Sequence, residues 1–383
     1  MRITFVCGHY LPNLGYLEVH LARALAAAGH EVVVVTSHAV PAYVKNKVSG
    51  YPFPAISVDE GVEVRRLKPL FARGQFAISR GLMPAVKETS PQFVLVMGLG
   101  KVFPYAVLGN TPWKTAVLLG DNSHSYAHLS GWRKWWRDIV KKPIYLRAVQ
   151  NAHRLLHYTP ETKDLLEDWL GAPSRQHLEN KSVEISLGFN HRVFSFQPSL
   201  REQKRAELGL KEDDVLYISV GRMAENKSYD AWLDAMESLM DENLRVHLML
   251  VGVGEDVHSQ ALRKRVDSGK FTSRCFLLPF ALHSELLTYY NAADVGFWPI
   301  TAISVFEGMG TGLFLVLPND KSLKHIGRTG GLCSLVSENH LDVLRAAANE
   351  VGDDKRSLRA QKAVENFSYQ SIAERVVQSM QSP

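Results

Sequence analysis

The stretch from Asn291 to Asp320 places a carboxylate and a hydroxyl near the start of a predicted short helix. Ser304 could serve as the N-cap of that helix, because a serine hydroxyl accepts hydrogen bonds from free N–H groups of the first turn. Free backbone N–H groups at the start of this helix favour an anion. Glu307, one turn into the helix, could accept hydrogen bonds from sugar hydroxyls but would repel a phosphate beside it. The stretch therefore predicts a ligand that carries both hydroxyls and phosphates.

A second set of polar residues follows the predicted strand Val215–Val220. Gly221 permits close approach of the backbone to a ligand. The Arg222 guanidinium could bind a phosphate through two hydrogen bonds, and Lys227 would add a point charge. The alternative is a loop that carries two solvated cations.

The loop after the first predicted strand ends at Gly15, just before the predicted helix Leu17–Ala28. Gly15 could let backbone N–H groups face a phosphate or a sugar. The loop lacks the GxGxxG spacing of dinucleotide-binding proteins.

Apolar side chains recur at helical spacing in the segment SGWRKWWRDIVKK. Trp132, Trp135 and Trp136 belong to this stripe, and Arg133 and Lys134 are among the basic residues that flank it. This composition is typical of a helix that lies in a membrane interface. The alternative is a helix packed on the core with a basic outer face.

Strand and helix patterns alternate along the chain, which predicts an α/β protein with parallel sheets covered by helices. At 383 residues the chain exceeds the size of a single core. We expect an N-terminal Rossmann-like domain at 1–192 and a second one at 193–366. A C-terminal helix at 367–383 could pack back on the first domain. The cleft between two such domains is the natural ligand site.

Composition narrows the class of protein. Three scattered cysteines indicate a reducing compartment and argue against disulfides and structural zinc. No signal peptide and no apolar run of about 20 residues is evident. We therefore expect a cytoplasmic protein. The formal charge is +5, but the basic residues are dispersed and no nucleic-acid reader motif is present, so nucleic-acid binding is a poor fit.

These segments together resemble the retaining glycosyltransferases of the GT-B architecture, specifically family 4, over nearly the whole chain. The opening is similar through Pro12, Gly15, Glu18 and His20, and the interdomain turn through SLGFNHRVFSF. VGRMAENKSYD, LVGVGED, SELLTYYNAADVGFWP and EGMGTGLFLVLPND resemble later motifs of the family. The resemblance implies two Rossmann-like domains that face each other across a cleft.

The resemblance also implies a nucleotide-diphosphate sugar as the donor, with no metal and no cofactor. Arg222 and Lys227 would neutralise the diphosphate, and N–H groups around Ile303, Ser304 and Val305 would meet the phosphates or the donor sugar. Glu307 would be the second glutamate of the family's E-x7-E pair and would hold the ribose hydroxyls. The first glutamate of that pair falls on Pro299, which departs from the family pattern.

After the strand Thr115–Leu119, Asp121 comes first and His124 is the next candidate for the family's histidine. We thus expect Asp121, His124, Arg222 and Lys227 to be catalytic. The expected reaction moves a sugar, with retention, to a glycan or lipid-linked acceptor in surface-polysaccharide or glycolipid synthesis. The basic helix suggests peripheral contact with an anionic inner membrane face. The alternatives are a non-catalytic nucleotide-sugar or glycan-binding protein, or an epimerase or phosphorylase with the same two-domain frame.

Overall fold

A computed structural model describes residues 1–40, 51–73, 76–99, 103–108, 112–121, 130–223, 229–269 and 271–382. The chain divides into two compact units. The N-terminal unit is Met1–Leu187 with Tyr369–Pro383, and the second unit is Gly188–Ser368. The chain passes from one unit to the other after residues 187 and 368. The boundaries predicted from the sequence were after residues 192 and 366. Phe189 and Phe196, on the second unit's side of the first passage, pack within that unit, beside Gly310 and Arg356 respectively.

The N-terminal unit is built on one sheet of eight strands. Its order is β10-β9-β8-β7-β1-β2-β4-β3, and only β3 is antiparallel to its neighbour. A separate two-stranded hairpin, β5–β6, follows β4. The strands are β1 (Arg2–Cys7), β2 (Glu31–Ser37), β3 (Ile56–Asp59), β4 (Val62–Leu67), β5 (Pro69–Arg73), β6 (Phe76–Ser79), β7 (Phe93–Met97), β8 (Lys114–Leu119), β9 (Arg154–His157) and β10 (Ser182–Glu184).

Helices that cover this sheet bury apolar side chains against it, whereas the short helix Gly131–Trp136 buries none of its residues. In α1, Leu17, Leu21 and Leu25 recur at helical spacing and are buried, which contributes about 1.5–3 kcal/mol for each side chain. The helices are α1 (Leu17–Ala27), α2 (Leu82–Glu88), α3 (Gly131–Trp136), α4 (Lys142–Asn151), α5 (Pro160–Leu170) and α6 (Ala172–Lys181), with a 3₁₀ turn at Phe103–Leu108 and a π-helical turn at Arg137–Lys141 between α3 and α4.

The C-terminal helix, Tyr369–Gln381, belongs to the N-terminal unit. Ile372, Val376 and Met380 lie in the same buried cluster as residues of β1 and α1. The Tyr369 ring stacks on the His20 ring of α1 at a centroid distance of 4.9 Å. The last helix therefore completes the core that the first strands begin.

The second unit holds a six-stranded, all-parallel sheet with the order β13-β12-β11-β14-β15-β16. Counted from β11, this is the 3-2-1-4-5-6 order of the Rossmann fold. The strands are β11 (Val215–Val220), β12 (Val246–Val251), β13 (Cys275–Leu278), β14 (Val295–Phe297), β15 (Phe314–Pro318) and β16 (Cys333–Val336). The prediction of two Rossmann-like α/β units with parallel sheets is confirmed.

Helices pack against this second sheet as well, and the Trp232 ring of α8 stacks on the Phe297 ring of β14 at 5.5 Å. The helices are α7 (Pro198–Glu207), α8 (Asp230–Glu242), α9 (Val257–Ser268), α10 (His283–Ala292), α11 (Ile303–Gly310), α12 (Lys324–Arg328), α13 (His340–Ala347) and α14 (Asp353–Phe367), with 3₁₀ turns at Thr272–Arg274 and Ala348–Glu350. Within the described ranges of the chain, no helix is long and apolar enough to cross a bilayer.

Candidate active site

The strand order of the second sheet reverses between β11 and β14. In open α/β sheets of this kind, ligands bind outside the carboxyl ends of the strands at the point of reversal. β11 ends at Val220, so Gly221 and Arg222 lie at that point. β14 ends at Phe297, and its continuation leads through Trp298 into α11. Sheet order therefore brings Gly221 and Arg222 close to the start of the helix that carries Glu307.

The Val220 carbonyl joins the two sides of this point. It accepts a hydrogen bond from Trp298 Nε1 at 2.9 Å and another from Ser304 Oγ at 2.9 Å. The indole is buried, and its Nε1 also lies 3.0 Å from Ser304 Oγ. These bonds fix the first turn of α11 against the end of β11.

The prediction that Ser304 caps the helix is wrong. The N-cap is Ala302, which has no side-chain group that could accept a hydrogen bond, and α11 begins at Ile303. The Ser304 hydroxyl instead donates to the Val220 carbonyl, because the sheet brings that acceptor within reach. The cost of an uncapped helix start is that first-turn N–H groups stay without a side-chain partner.

Three N–H groups at the start of α11 were predicted to meet an anion, and two of them are available to bind it. The Val305 N–H donates to the Ala302 carbonyl at 3.2 Å. Among the described residues, the N–H groups of Ile303 and Ser304 have no hydrogen-bond acceptor. Unpaired N–H groups at a helix start form a site of positive potential that suits a phosphate.

Glu307 lies in α11, one turn after these groups, and its side chain is buried. Its Oε2 accepts from the Tyr290 hydroxyl at 3.4 Å, and its Oε1 lies 3.5 Å from His283 Nε2. Burial raises the pKa of the Glu307 carboxyl to about 7, and the hydrogen bond from Tyr290 offsets this only in part. Burial also lowers the pKa of His283, which favours its neutral form. The Glu307 carboxyl group, with its raised pKa, is thus held between the aromatic side chains of Tyr290 and His283.

Other side chains hold these neighbours in place. The Phe194 ring makes edge-to-face contacts with His283 at 5.7 Å and with Tyr290 at 5.9 Å. Arg356, which is buried, donates to the carbonyls of Tyr290 and Thr311 at 2.6 and 2.8 Å. It thereby connects the α10 residue beside Glu307 to the end of α11.

His283, Tyr290 and Trp298 are parts of the site that were not predicted from the sequence. His283 is the first residue of the helix after β13, so its place at the carboxyl edge of a predicted parallel sheet was the available signal. Trp298 gave no separate signal, because its apolar ring continues the apolar run of the strand before it. Nothing in the local pattern distinguishes Tyr290.

A close approach of two backbones shapes the end of β11. Gly252 follows β12 with a φ of +103°, and a Cβ at that position would lie 2.3 Å from the Gly221 carbonyl oxygen. Glycine is required at 252 both for this contact and for its backbone conformation. The turn after β12 is thus fitted to the segment that carries Arg222.

The predicted cations of the site are described only in part. Arg222 is exposed, and its guanidinium makes no hydrogen bond or ion pair with any residue that the structure describes. Lys227 lies outside the described residues. Arg222 therefore remains available to an anion near the start of α11.

The remaining site candidates belong to the N-terminal unit. Gly15 has a φ of +62° and lies directly before Tyr16, the N-cap of α1. Asp121 follows β8, and its Oδ1 accepts from the Tyr145 hydroxyl at 3.2 Å, while its carbonyl accepts from Thr162 Oγ1 at 2.8 Å. His124 lies outside the described residues. The catalytic role of Asp121 and His124 and the donor contact of Gly15 stay predictions.

The tryptophans of α3 are on the surface. Trp132 is 72% exposed, Trp135 59% and Trp136 37%, and Arg133 and Lys134 are exposed beside them. The interpretation of this segment as a core-packed helix is therefore wrong. An exposed aromatic cluster flanked by cations is the surface expected of an interfacial helix.

Comparison with known proteins finds two family matches along the chain. Residues 19–178 match the family described as a glycosyl transferase 4-like domain, and residues 214–354 match the glycosyl transferases group 1. The two matches fall in the two units and together cover most of the chain.

Individual relatives are distant. The alpha-monoglucosyldiacylglycerol synthase of Acholeplasma laidlawii is 25% identical over 311 residues, which are 77% of this chain and 73% of that protein. The D-inositol 3-phosphate glycosyltransferase of Streptosporangium roseum is 29% identical over 157 residues, which are 39% of this chain and only 34% of that protein. The crystal structure of HepE from Anabaena in complex with UDP is similar over 100% of both chains, with a TM-score of 0.70 and 17% identity. Because the family matches span most of the chain and the fold agrees with them, the chain belongs to family 4 of the GT-B glycosyltransferases and is a glycosyltransferase.

Proposed function

We propose that this glycosyltransferase takes its sugar from a nucleotide-diphosphate donor bound by the second unit. The observation that carries the proposal is the position of Glu307, a buried carboxyl group in α11. It lies one turn after two N–H groups that have no acceptor among the residues that the structure describes. Such a site offers an acceptor to the ribose hydroxyls and donors to the phosphates. Arg222 and Lys227 would neutralise the charge that develops on the diphosphate as it leaves, which lowers the barrier to transfer.

The acceptor would be a glycan or a lipid-linked sugar, and transfer would retain the anomeric configuration. Asp121 and His124 of the N-terminal unit are the side chains proposed to act at the reacting sugar, without a metal or a cofactor. A relative named for the synthesis of a glucosylated diacylglycerol supports a lipid-linked acceptor. Surface-polysaccharide or glycolipid synthesis in the cytoplasm is the pathway class that suits such a reaction.

The exposed tryptophans of α3 support peripheral contact with an anionic membrane face. Their rings would enter the interface between lipid headgroups and acyl chains, and Arg133 and Lys134 would meet anionic headgroups. A lipid-linked acceptor would then reach the enzyme without leaving the bilayer.

One observation favours a second candidate, a non-catalytic nucleotide-sugar-binding protein. Pro299 replaces the first glutamate of the family's E-x7-E pair, so the carboxylate that touches the donor sugar in the family is missing here. An epimerase or phosphorylase with the same frame would show itself by reacting in the absence of a sugar acceptor.

The test is a thermal-shift screen against a panel of nucleotide sugars, followed by a transfer assay with the donor that stabilises the protein most. We expect one donor class to raise the unfolding temperature in the wild type and much less in the Glu307→Ala variant. Acceptor-dependent transfer with a retained anomer, read by NMR, would support the proposal. Tight donor binding with neither transfer nor donor hydrolysis would favour the non-catalytic candidate instead.

A further inference from the structure

The β5–β6 hairpin of the N-terminal unit exposes three large apolar side chains. Leu70 is 58% exposed, Phe71 55% and Ile78 48%. Phe71 and Ile78 face each other across the two strands, and Leu70 lies at the irregularity of pairing beside them. Ala77, the neighbour of Ile78, is buried at 1% exposure. Because side chains alternate along a strand, one face of the hairpin packs on the unit and the opposite face presents an apolar cluster to solvent.

The hairpin lies at the carboxyl edge of the first sheet. β4 ends at Leu67 and runs parallel to β2, and β5 begins at Pro69, so only Lys68 separates the hairpin from that edge. The helical segment that begins with α3 is attached to the same edge. Its Tyr145 hydroxyl donates to Asp121, which lies two residues after the end of β8.

The sheet order gives the spacing between these two attachments. From β8 to β4 the order passes through β7, β1 and β2, which makes four steps between neighbouring strands. At about 4.8 Å for each step, the two strand ends are about 19 Å apart. The hairpin and the helical segment are therefore attached beside two well-separated strands, at the same edge of the sheet.

The charges beside the hairpin identify its partner. The segment 68–80 contains Lys68, Arg73 and Arg80 and no acidic residue, and the side chains of Lys68 and Arg80 are exposed. An apolar cluster between cations matches a bilayer that contains anionic lipid, because apolar side chains enter the interface while cations stay at the headgroups. The same combination occurs at α3.

We propose that the β5–β6 hairpin is a second membrane contact, which acts together with α3 to hold the carboxyl edge of the first sheet against an anionic bilayer. The inference rests on the membrane contact proposed for α3 and adds a site of its own. Two contacts on one rigid unit bind more tightly than either alone, because the second binds at a high effective concentration once the first is attached. Two attachments also restrict how the sheet edge can turn relative to the bilayer.

The test is flotation of the full-length protein with vesicles of phosphatidylcholine alone and with phosphatidylglycerol as the minority lipid. The hairpin variant is Phe71→Ser with Ile78→Ser, and the helix variant is Trp135→Ala with Trp136→Ala. Both pairs are exposed in the structure. The matched control is Val58→Ser on β3, since Val58 is 75% exposed but pairs with Glu63 near the opposite, amino end of β4.

We expect the hairpin variant to bind anionic vesicles about ten-fold more weakly than the wild type. The combined variant should bind more weakly than either parent, and Val58→Ser should bind like the wild type. Urea unfolding of each variant should match the wild type, which excludes a folding defect as the cause.

The outcomes separate this inference from the proposals that precede it. If the helix variant loses binding and the hairpin variant floats like the wild type, the second contact is refuted and the contact at α3 stands. If the wild type does not float with anionic vesicles, both membrane contacts are refuted. Neither result bears on the proposed nucleotide-sugar site, because thermal shifts with nucleotide sugars are measured without lipid.

Discussion

Oε1 of Glu307 lies 3.5 Å from Nε2 of His283, and the Phe194 ring contacts both His283 and Tyr290 beside it. The carboxyl group has an ordinary pKa of 4.5, which burial raises to about 7 in the folded protein. Between these two values the folded chain binds a proton that the unfolded chain has already released. The contribution of Glu307 to stability therefore falls as the pH rises through this range.

The first prediction concerns this pH dependence. The Glu307→Gln variant keeps the shape of the side chain but cannot ionise. Its stability relative to the wild type should rise by up to about 3 kcal/mol as the pH increases from about 5 to about 8. Urea unfolding at several pH values measures this difference. Glu338→Gln, at an exposed position, is the matched control for the loss of one carboxyl group. Parallel curves for Glu307→Gln and the wild type would contradict the prediction.

The second prediction concerns Arg222, whose exposed guanidinium lies just beyond the end of β11. Arg222→Ala should weaken binding of a nucleoside diphosphate by about 1.5–3 kcal/mol, the range for a hydrogen bond to a charged group. Isothermal titration calorimetry measures the affinity. Arg245→Ala is the matched control, because Arg245 is exposed at the amino end of β12 and pairs with Asp213. Equal affinity of Arg222→Ala and the wild type would remove Arg222 from the site.

The third prediction concerns the bond from Ser304 to the Val220 carbonyl. Ser304→Ala should lower the free energy of unfolding by about 1 kcal/mol, since Val220 keeps its second donor, Trp298 Nε1. The affinity for the nucleotide sugar should fall as well, because the first turn of α11 is then less firmly fixed. Ser238→Ala is the control, since Ser238 is exposed and its hydroxyl donates to the Asp234 carbonyl of its own helix. A Ser304→Ala variant with wild-type stability and affinity would show that this bond has no role.

The fourth prediction separates crowding from backbone strain at glycine. Gly252→Ala introduces a Cβ 2.3 Å from the Gly221 carbonyl oxygen, in addition to an unfavourable φ of +103°. Gly331→Ala has the unfavourable φ of +71° but nothing within 4 Å. We expect a loss of about 1–2 kcal/mol at Gly331 and about 3 kcal/mol or more at Gly252. Chemical unfolding compares the two, and similar losses would mean that β12 shifts freely away from Gly221.

The fold could be predicted in most of its parts from apolar runs. β11 lies at the predicted residues, Val215–Val220, and β8 begins one residue before the predicted Thr115–Leu119, because strands buried on both faces are continuous apolar segments. β3 and the β5–β6 hairpin were not predicted. Their strands are four or five residues long, and apolar side chains such as Ile56 and Phe71 are exposed, so no buried pattern marks them.

The candidate site was predictable where one short segment encodes it. Glu307 and the N–H groups at the start of α11 follow from the order of residues along one short helix. His283 and Tyr290 come from a different helix, and only the assembled sheet brings them to Glu307. Ser304 shows the same limit. Its hydroxyl was predicted to bond to the first turn of its own helix, but it bonds to the Val220 carbonyl, which is distant in sequence.

The chain leaves the N-terminal unit after residue 187 and returns to it at Tyr369. During synthesis, β1 and α1 therefore emerge long before Ile372, Val376 and Met380, which share their core. Until those residues leave the ribosome, an apolar groove on the early half stays open to water and to other nascent chains. The part of the protein that is made first is thus the last to reach its final stability, and a chain that stops early would carry this groove uncovered.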